Sequence, residues 1–356
     1  TITDDNNCVA TAGPISITEP TLLSATMGIP TMVDCNGDNS GSVAVTASGG
    51  TVAGNYTYLW SDGQTTATAI NLVAGDYSVT ITDDNNCVAT AGPISITEPN
   101  ALAASMGIPN MVSCNGASPA DGSVTVTASG GTVAGSYTYL WSDGQTNATA
   151  NNLSAGNYSV TVTDDNNCSV TSGPVNITEP SAVVASMGIP NMVSCSGGND
   201  GSVTVTASGG TVAGGYTYLW SNGQTTATAS NLIAGDYSVT VTDDNSCTAT
   251  AGPVTITELT PITQSNVKTH VLCNGDANGQ IEITVNGGSA PYNISWSGAA
   301  NGNPPGDEVN SSGGNYTMSG LNAGDYDITI TDNNSCILNV TNQTITQPNV
   351  LAQTNI

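Results

Sequence analysis

The chain has 356 residues and sets one basic side chain, Lys268, against 27 carboxylates, for a formal net charge of −26. Such a surface cannot neutralise phosphates, which excludes nucleic acid as a partner, and it repels anionic lipid headgroups. No apolar run approaches the roughly 20 residues that span a bilayer, so no membrane insertion is expected in this segment, and stability must come from apolar burial, backbone hydrogen bonds and any disulfides rather than ion pairs.

Residues 1–8, "TITDDNNC", recur letter for letter at 80–87, so the chain reads as starting in mid-repeat within a longer protein. The tripeptide "TEP" at Thr18, Thr97 and Thr178, "TEL" at Thr257 and "TQP" at Thr346 lie about 80 residues apart. They divide the chain into the tail of a preceding repeat (1–20), four units (21–99, 100–180, 181–259 and 260–348) and the start of another (349–356). A period this long suits independently cored domains strung like beads, not a solenoid.

Within a unit the apolar period is two. In "GSVTVTASGG" (201–210) and "GDYSVTVTDD" (235–244), Val203, Val205, Tyr237, Val239 and Val241 alternate with Ser and Thr, which predicts half-buried strands. No stretch has a helical period, and Gly, Asn, Asp and Pro punctuate at short intervals, so each unit is expected to be all-β, with about seven short antiparallel strands packed as a sandwich. The stretch "YTYLWSDGQTTATA" (56–69) recurs as "YTYLWSDGQTNATA" from Tyr137 and, between the two quoted strands, as "YTYLWSNGQTTATA" from Tyr216. It predicts a core strand with Tyr56, Tyr58 and Trp60 on one face, broken by a tight hairpin turn at Asp62-Gly63. One tryptophan per unit (Trp60, Trp141, Trp220, Trp296) and a tyrosine after a Leu-x-Ala-Gly corner (Tyr77, Tyr158, Tyr237, Tyr326) sharpen the expectation to immunoglobulin-like β-sandwich domains in tandem, forming an extended rod.

The pattern "GG...Y.Y.WS.G", then "L.AG.Y.VT.TD...C", then "I.EP" resembles the SprB repeat of large Bacteroidota cell-surface adhesins. The fourth unit keeps "GGSAPYNISWSG", "LNAGDYDITITDNNSC" and "ITQP" but carries the insertion "AANGNPPGDEVNSSGGNYTMSG" before the corner. The resemblance implies a filamentous extracellular adhesin, exported by type IX secretion and moved in gliding motility, and it brings no catalytic residues.

Each unit has one cysteine before the "GSVTV" strand (Cys35, Cys114, Cys195, Cys273) and one after the "TDDNN" turn (Cys87, Cys168, Cys247, Cys336); Cys8 belongs to the partial unit. This regularity favours disulfides, and the absence of close pairs disfavours a thiolate metal site. Pairing within each unit, Cys35 with Cys87 and so on, is the default, each closed loop stabilising by roughly 3–5 kcal/mol. The alternative joins consecutive units, Cys35 to Cys168, Cys114 to Cys247 and Cys195 to Cys336, because in an immunoglobulin topology the two turns lie at opposite ends. Reduced thiols and pairing through the linkers are further options.

Catalysis has little to work with, since His270 and Lys268 have no repeated equivalents and the "SGGTVAG" loops lack the lysine end of a phosphate loop. No enzyme is expected. The acidic pairs Asp83 and Asp84, Asp164 and Asp165, and Asp243 and Asp244 are candidate calcium ligands if Glu98 of the linker approaches Asp164 and Asp165; the simpler reading makes them turn residues. No other cofactor is expected. Exposed threonines suggest either a ligand-binding face or soluble β-formers. The partners expected are neighbouring repeats and, for a binding array, external surfaces or polysaccharide. Two functions are carried forward: a structural stalk that extends an adhesive region, and an array of weak glycan- or surface-binding modules acting by avidity.

Overall fold

The computed structural model describes residues 1–299 and 308–352. Residues 300–307 of the fourth unit's insertion, and 353–356 of the final partial unit, lie outside the described residues. The chain divides into two compact units, one comprising 1–112 and 117–179, the other 113–116 and 180–356. Among the described residues every regular element is a strand.

At the start of the chain β1 (Ile2–Thr3) and β2 (Val9–Ala10) form a small exposed ribbon. Then come β3 (Ser24–Met27), β4 (Gly41–Ser48), β5 (Thr57–Trp60), β6 (Thr68–Leu72), β7 (Gly75–Thr82) and β8 (Val88–Ile96). They form two antiparallel three-stranded sheets, β3-β4-β6 and β5-β7-β8. Lettered in chain order this is an A-B-E sheet facing a C-F-G sheet, the immunoglobulin topology without its D strand. The same six strands and two sheets recur from Ala103 to Ile177 and from Val184 to Ile256.

Alternation decides which faces meet. On β4, Val43 and Val45 point inward, and on β7 so do Tyr77, Val79 and Ile81, while Ala44, Ser78 and Thr80 between them lie on the outer faces. Trp60 is 2% exposed at the centre of this core, with Leu72 and Ile96 beside it. Its indole N–H donates to the Thr66 carbonyl at 2.8 Å, so the largest buried ring carries no unpaired donor. The expected corner tyrosines are in place: the hydroxyls of Tyr77, Tyr158, Tyr237 and Tyr326 each donate to the carbonyl four residues back, at 3.0–3.1 Å.

Two local expectations need correction. The strand count in the first three sandwiches is six, not seven. Asp62-Gly63 does close a tight turn, with Gly63 N–H on the Trp60 carbonyl and Trp60 N–H on Gln64, but it does not make a hairpin, because β6 joins the opposite sheet. The place of the missing strand is taken by a side chain: the Gln64 amide donates to the Ile70 carbonyl and accepts the Ile70 N–H, at 2.8 and 3.0 Å, satisfying the free edge of β6. Gln145 and Gln224 do the same for Asn151 and Ser230.

The fourth sandwich departs in step with its sequence. A short strand, Glu308–Val309, pairs with Tyr292–Gly298 and gives that sheet a fourth member. Tyr292 and Ile294 are buried there, whereas Trp296 is half-buried and meets Tyr326 edge to face at 5.7 Å. Its indole N–H has no acceptor among the described residues.

Candidate functional site

The polar side chains that recur from sandwich to sandwich gather at two loops, the turn between β7 and β8 and the cysteine turn before β4. Asp83 opens the first. It is 5% exposed, and its Oδ1 accepts the N–H groups of Asn85 and Cys87 at 3.0 and 2.8 Å while Oδ2 accepts Thr51 N–H at 2.8 Å. Those donors, Thr51 first and then Cys87, hold its carboxyl below the usual aspartate range. Asp164, Asp243 and Asp332 make the same three bonds.

The second acidic residue grips the neighbouring glycine loop. Asp84 accepts N–H from Ala53 and Gly54, Asp165 from Ala134 and Gly135, and Asp244 from Ala213 and Gly214. The carboxyls of Asp165 and Asp244 are lowered chiefly by the N–H groups of Gly135 and Gly214. The six candidate calcium ligands therefore face backbone amides. Glu98 does not join Asp164 and Asp165: its carboxylate accepts Asn36 Nδ2 at 3.0 Å and Gly37 N–H at 2.6 Å. Among the described residues no group of three or more His, Cys, Asp or Glu side chains is placed to hold a metal ion.

That contact gives the linker motif a role that spacing alone did not reveal. Glu98 fastens the Cys35-Asn36-Gly37 turn, Glu258 accepts Gly197 N–H at 2.6 Å, and in the fourth repeat Gln347 accepts Gly275 N–H at 2.9 Å. The signal was present in the co-occurrence of the two motifs in each repeat. His270 is likewise structural. Its Nδ1 accepts Thr346 N–H at 3.1 Å, the place that Met32, Met111 and Met192 sulfurs take for Thr97, Thr178 and Thr257. Lys268 lies on the strand Thr263–Thr269, opposite Ile281.

Between these loops run the disulfides. The bonds are Cys35–Cys168, Cys114–Cys247 and Cys195–Cys336, with Cα separations of 5.6–5.7 Å. Cys8, Cys87 and Cys273 are unpaired and exposed. Pairing within a repeat, the default expectation, is corrected, and the reason is the length of β8. Val33 N–H bonds to Thr97 just past the end of β8, which puts the Cys35 turn there. Cys87 stands at the start of the same nine-residue strand, about 30 Å away, where a disulfide needs Cα atoms within about 7 Å. Each bond is flanked by an asparagine that reads the carbonyl before the partner cysteine: Asn166 Nδ2 donates to Asp34 O, Asn245 to Ser113 O and Asn334 to Ser194 O, each at 3.0 Å.

The family model of the SprB repeat matches residues 28–65, 110–146, 191–225 and 265–301. Each match holds the cysteine turn, β4 or its equivalent, and the tryptophan strand; the tyrosine corner and the second cysteine lie beyond it. No curated protein matches the chain in sequence. Among solved structures, it is similar to a tetra-tandem repeat in the extending region of a large adhesion protein, with 16% identity over 92% of this chain and 100% of that one and a TM-score of 0.27. It is also similar to the eight N-terminal Ig domains of Down Syndrome Cell Adhesion Molecule, at 12% identity over 90% of this chain and a TM-score of 0.28, and spans 49% of that chain. A third similarity is to surface layer protein SbsC, domains 1-6, at 17% identity over 93% of this chain and 55% of that one, with a TM-score of 0.20. Four family matches in succession, each holding one cysteine turn and one tryptophan strand, identify four SprB repeats in this chain.

Proposed function

We propose that the chain is a load-bearing stalk segment of an extracellular adhesin, a structural and non-catalytic array whose repeats at 21–99, 100–180, 181–259 and 260–348 extend an adhesive region from a bacterial surface. Surface attachment or gliding motility, with export by type IX secretion, is the setting that the SprB repeat suggests, and disulfides suit an extracellular compartment. One observation carries the reading. The disulfides connect cysteine turns so that the shortest covalent route from Cys35 to Cys336 crosses two of them and only the backbone from Cys168 to Cys195. Fully extended, those roughly 27 residues reach about 90 Å, whereas the unbridged backbone from 35 to 336 reaches about 1,000 Å. Tension therefore passes along one short segment, the strands Ser169–Ile177 and Val184–Met187 with the linker between them, and bypasses the other strands of the sandwiches. Single-molecule stretching tests this: the oxidised chain should yield no more than about 90 Å between residues 35 and 336, and reductant should release the remainder. Full extension without reductant would refute the load-bearing role.

A second reading, a multivalent array of weak glycan or surface sites, is favoured by a repeated outward row. Leu59 stands beside Thr80 and Thr90, Leu140 beside Thr161 and Thr171, and Leu219 beside Thr240 and Thr250, the leucines being 58–59% exposed. Retention of the chain on immobilised polysaccharide, lost on replacing the three leucines with aspartate, would support it.

A further inference from the structure

All nine cysteines obey one rule. Wherever a cysteine turn of the Cys35 kind and a turn of the Cys168 kind belong to successive repeats of this chain, they are bonded. The three unpaired thiols are those for which this chain contains no such counterpart: Cys8 and Cys87 are of the second kind, Cys273 of the first.

The unpaired turns are nevertheless built like the bonded ones. At Cys87, Asp83 Oδ1 accepts the Cys87 N–H, and Asn85 Nδ2 donates to Thr51 Oγ1 at 2.9 Å. The bonded Asn166 makes the same contact to Thr132 and gives Asp34 O a further bond. At Cys273, Asp276 N–H bonds to the Cys273 carbonyl as Asp38 N–H bonds to Cys35. Gln347 and the Pro348 carbonyl hold Gly275 and Asn274 as Glu98 and Pro99 hold Gly37 and Asn36. The carbonyl of Leu272 occupies the sequence position of Asp34, Ser113 and Ser194.

We infer that Cys87 and Cys273 are opposite docking ends for a further repeat of this type: Cys273 takes the Asn-x-Cys turn of an incoming repeat, whose asparagine donates to Leu272 O, and Cys87 takes the cysteine of an incoming Cys-x-Gly turn, whose preceding carbonyl accepts from Asn85. The bond forms by exchange with a small-molecule disulfide. The two thiols give up two protons and two electrons, the S–S bond between them forms, and one glutathione disulfide is reduced to two molecules of glutathione. This inference stands on the pairing rule and does not depend on the chain being a stalk.

The test uses the full chain carrying Cys8→Ser, because Cys8 sits in the same kind of turn, with its N–H on Asp4. One arm appends a second copy of residues 108–180 after Ile356, equilibrates it in a glutathione redox buffer and maps the disulfides by mass spectrometry. Cys273 should be linked to the appended copy of Cys168, and replacing the asparagine two residues before that appended cysteine by alanine should weaken the linkage about fivefold. The other arm mixes a C87S chain with a C273S chain. A Cys273–Cys87 heterodimer in preference to either homodimer identifies a second copy as the partner, and linkage in the appended chain alone identifies a repeat of the same chain. Cys273 left alkylatable or glutathionylated in both arms, or bonded to the appended copy of Cys114, overturns the inference.

Discussion

Asp83 places both carboxylate oxygens on backbone N–H groups of two separate loops, which suits only its ionised form. Its folded pKa is lowered, so the stability it contributes is complete above the ordinary aspartate value of about 3.9 and is lost as pH falls through the lower folded value. Asp165 and Asp244 act in the same direction. Thermal melts should hold a constant midpoint from neutral pH down to about 5 and then fall. Asp83→Asn should lower the midpoint at pH 7 and make the acid limb shallower, since the variant has no charge to lose. The Gly49-Gly50 pair is also sensitive: Gly50 faces the Asp83 carboxylate, and Gly49 packs against the Leu22 backbone. At Gly49, with φ +78°, an added Cβ would stand 2.1 Å from the Leu22 carbonyl oxygen. Gly49→Ala should therefore cost about 2–4 kcal/mol by urea denaturation, since neither a left-handed alanine nor a backbone clash is relieved by a side-chain rotation.

At the scale of elements, Gln64 completes a sheet edge where the immunoglobulin plan has a strand. Its amide pairs with both backbone groups of Ile70, the job a neighbouring D strand would do. Gln64→Ala should cost about 1 kcal/mol and raise the hydrogen-exchange rate of the Ile70 amide while leaving the Trp60 core intact. An unchanged exchange rate would show that water serves that edge equally well. The strand pattern was readable from the sequence because alternation of Val, Tyr and Ile with Ser and Thr is a local property of β4 and β7. The destination of β6 was not readable, since Asp62-Gly63 specifies a reversal and says nothing about which sheet receives the chain next.

For the whole molecule, covalent and non-covalent order are separable. Each apolar core is drawn from one stretch of chain, such as Val33 to Ile96 or Val193 to Ile256, while each disulfide joins cysteines 133 or 141 residues apart. Reduction should leave the β-sheet circular dichroism and the buried tryptophan emission in place at room temperature while lowering the melting midpoint, because a loop of this length contributes about 5 kcal/mol through the unfolded chain. Loss of tryptophan burial on reduction alone would show that the cores depend on their neighbours.

Composition, period and spacing determined by themselves that the chain is all-β, that Trp60, Trp141 and Trp220 sit at the core and Tyr77 with its counterparts at the corner, and that about 80 residues make one repeat. These follow from local alternation and from repetition, both written along the chain. Tertiary structure alone decided three other matters: that Cys35 meets Cys168 and not Cys87, that Glu98 fastens the cysteine turn, and that the aspartate pairs face backbone amides. Each depends on which loops share an end of the sandwich. The nine residues of β8 separate Cys35 from the cysteine of its own repeat and leave it beside that of the next.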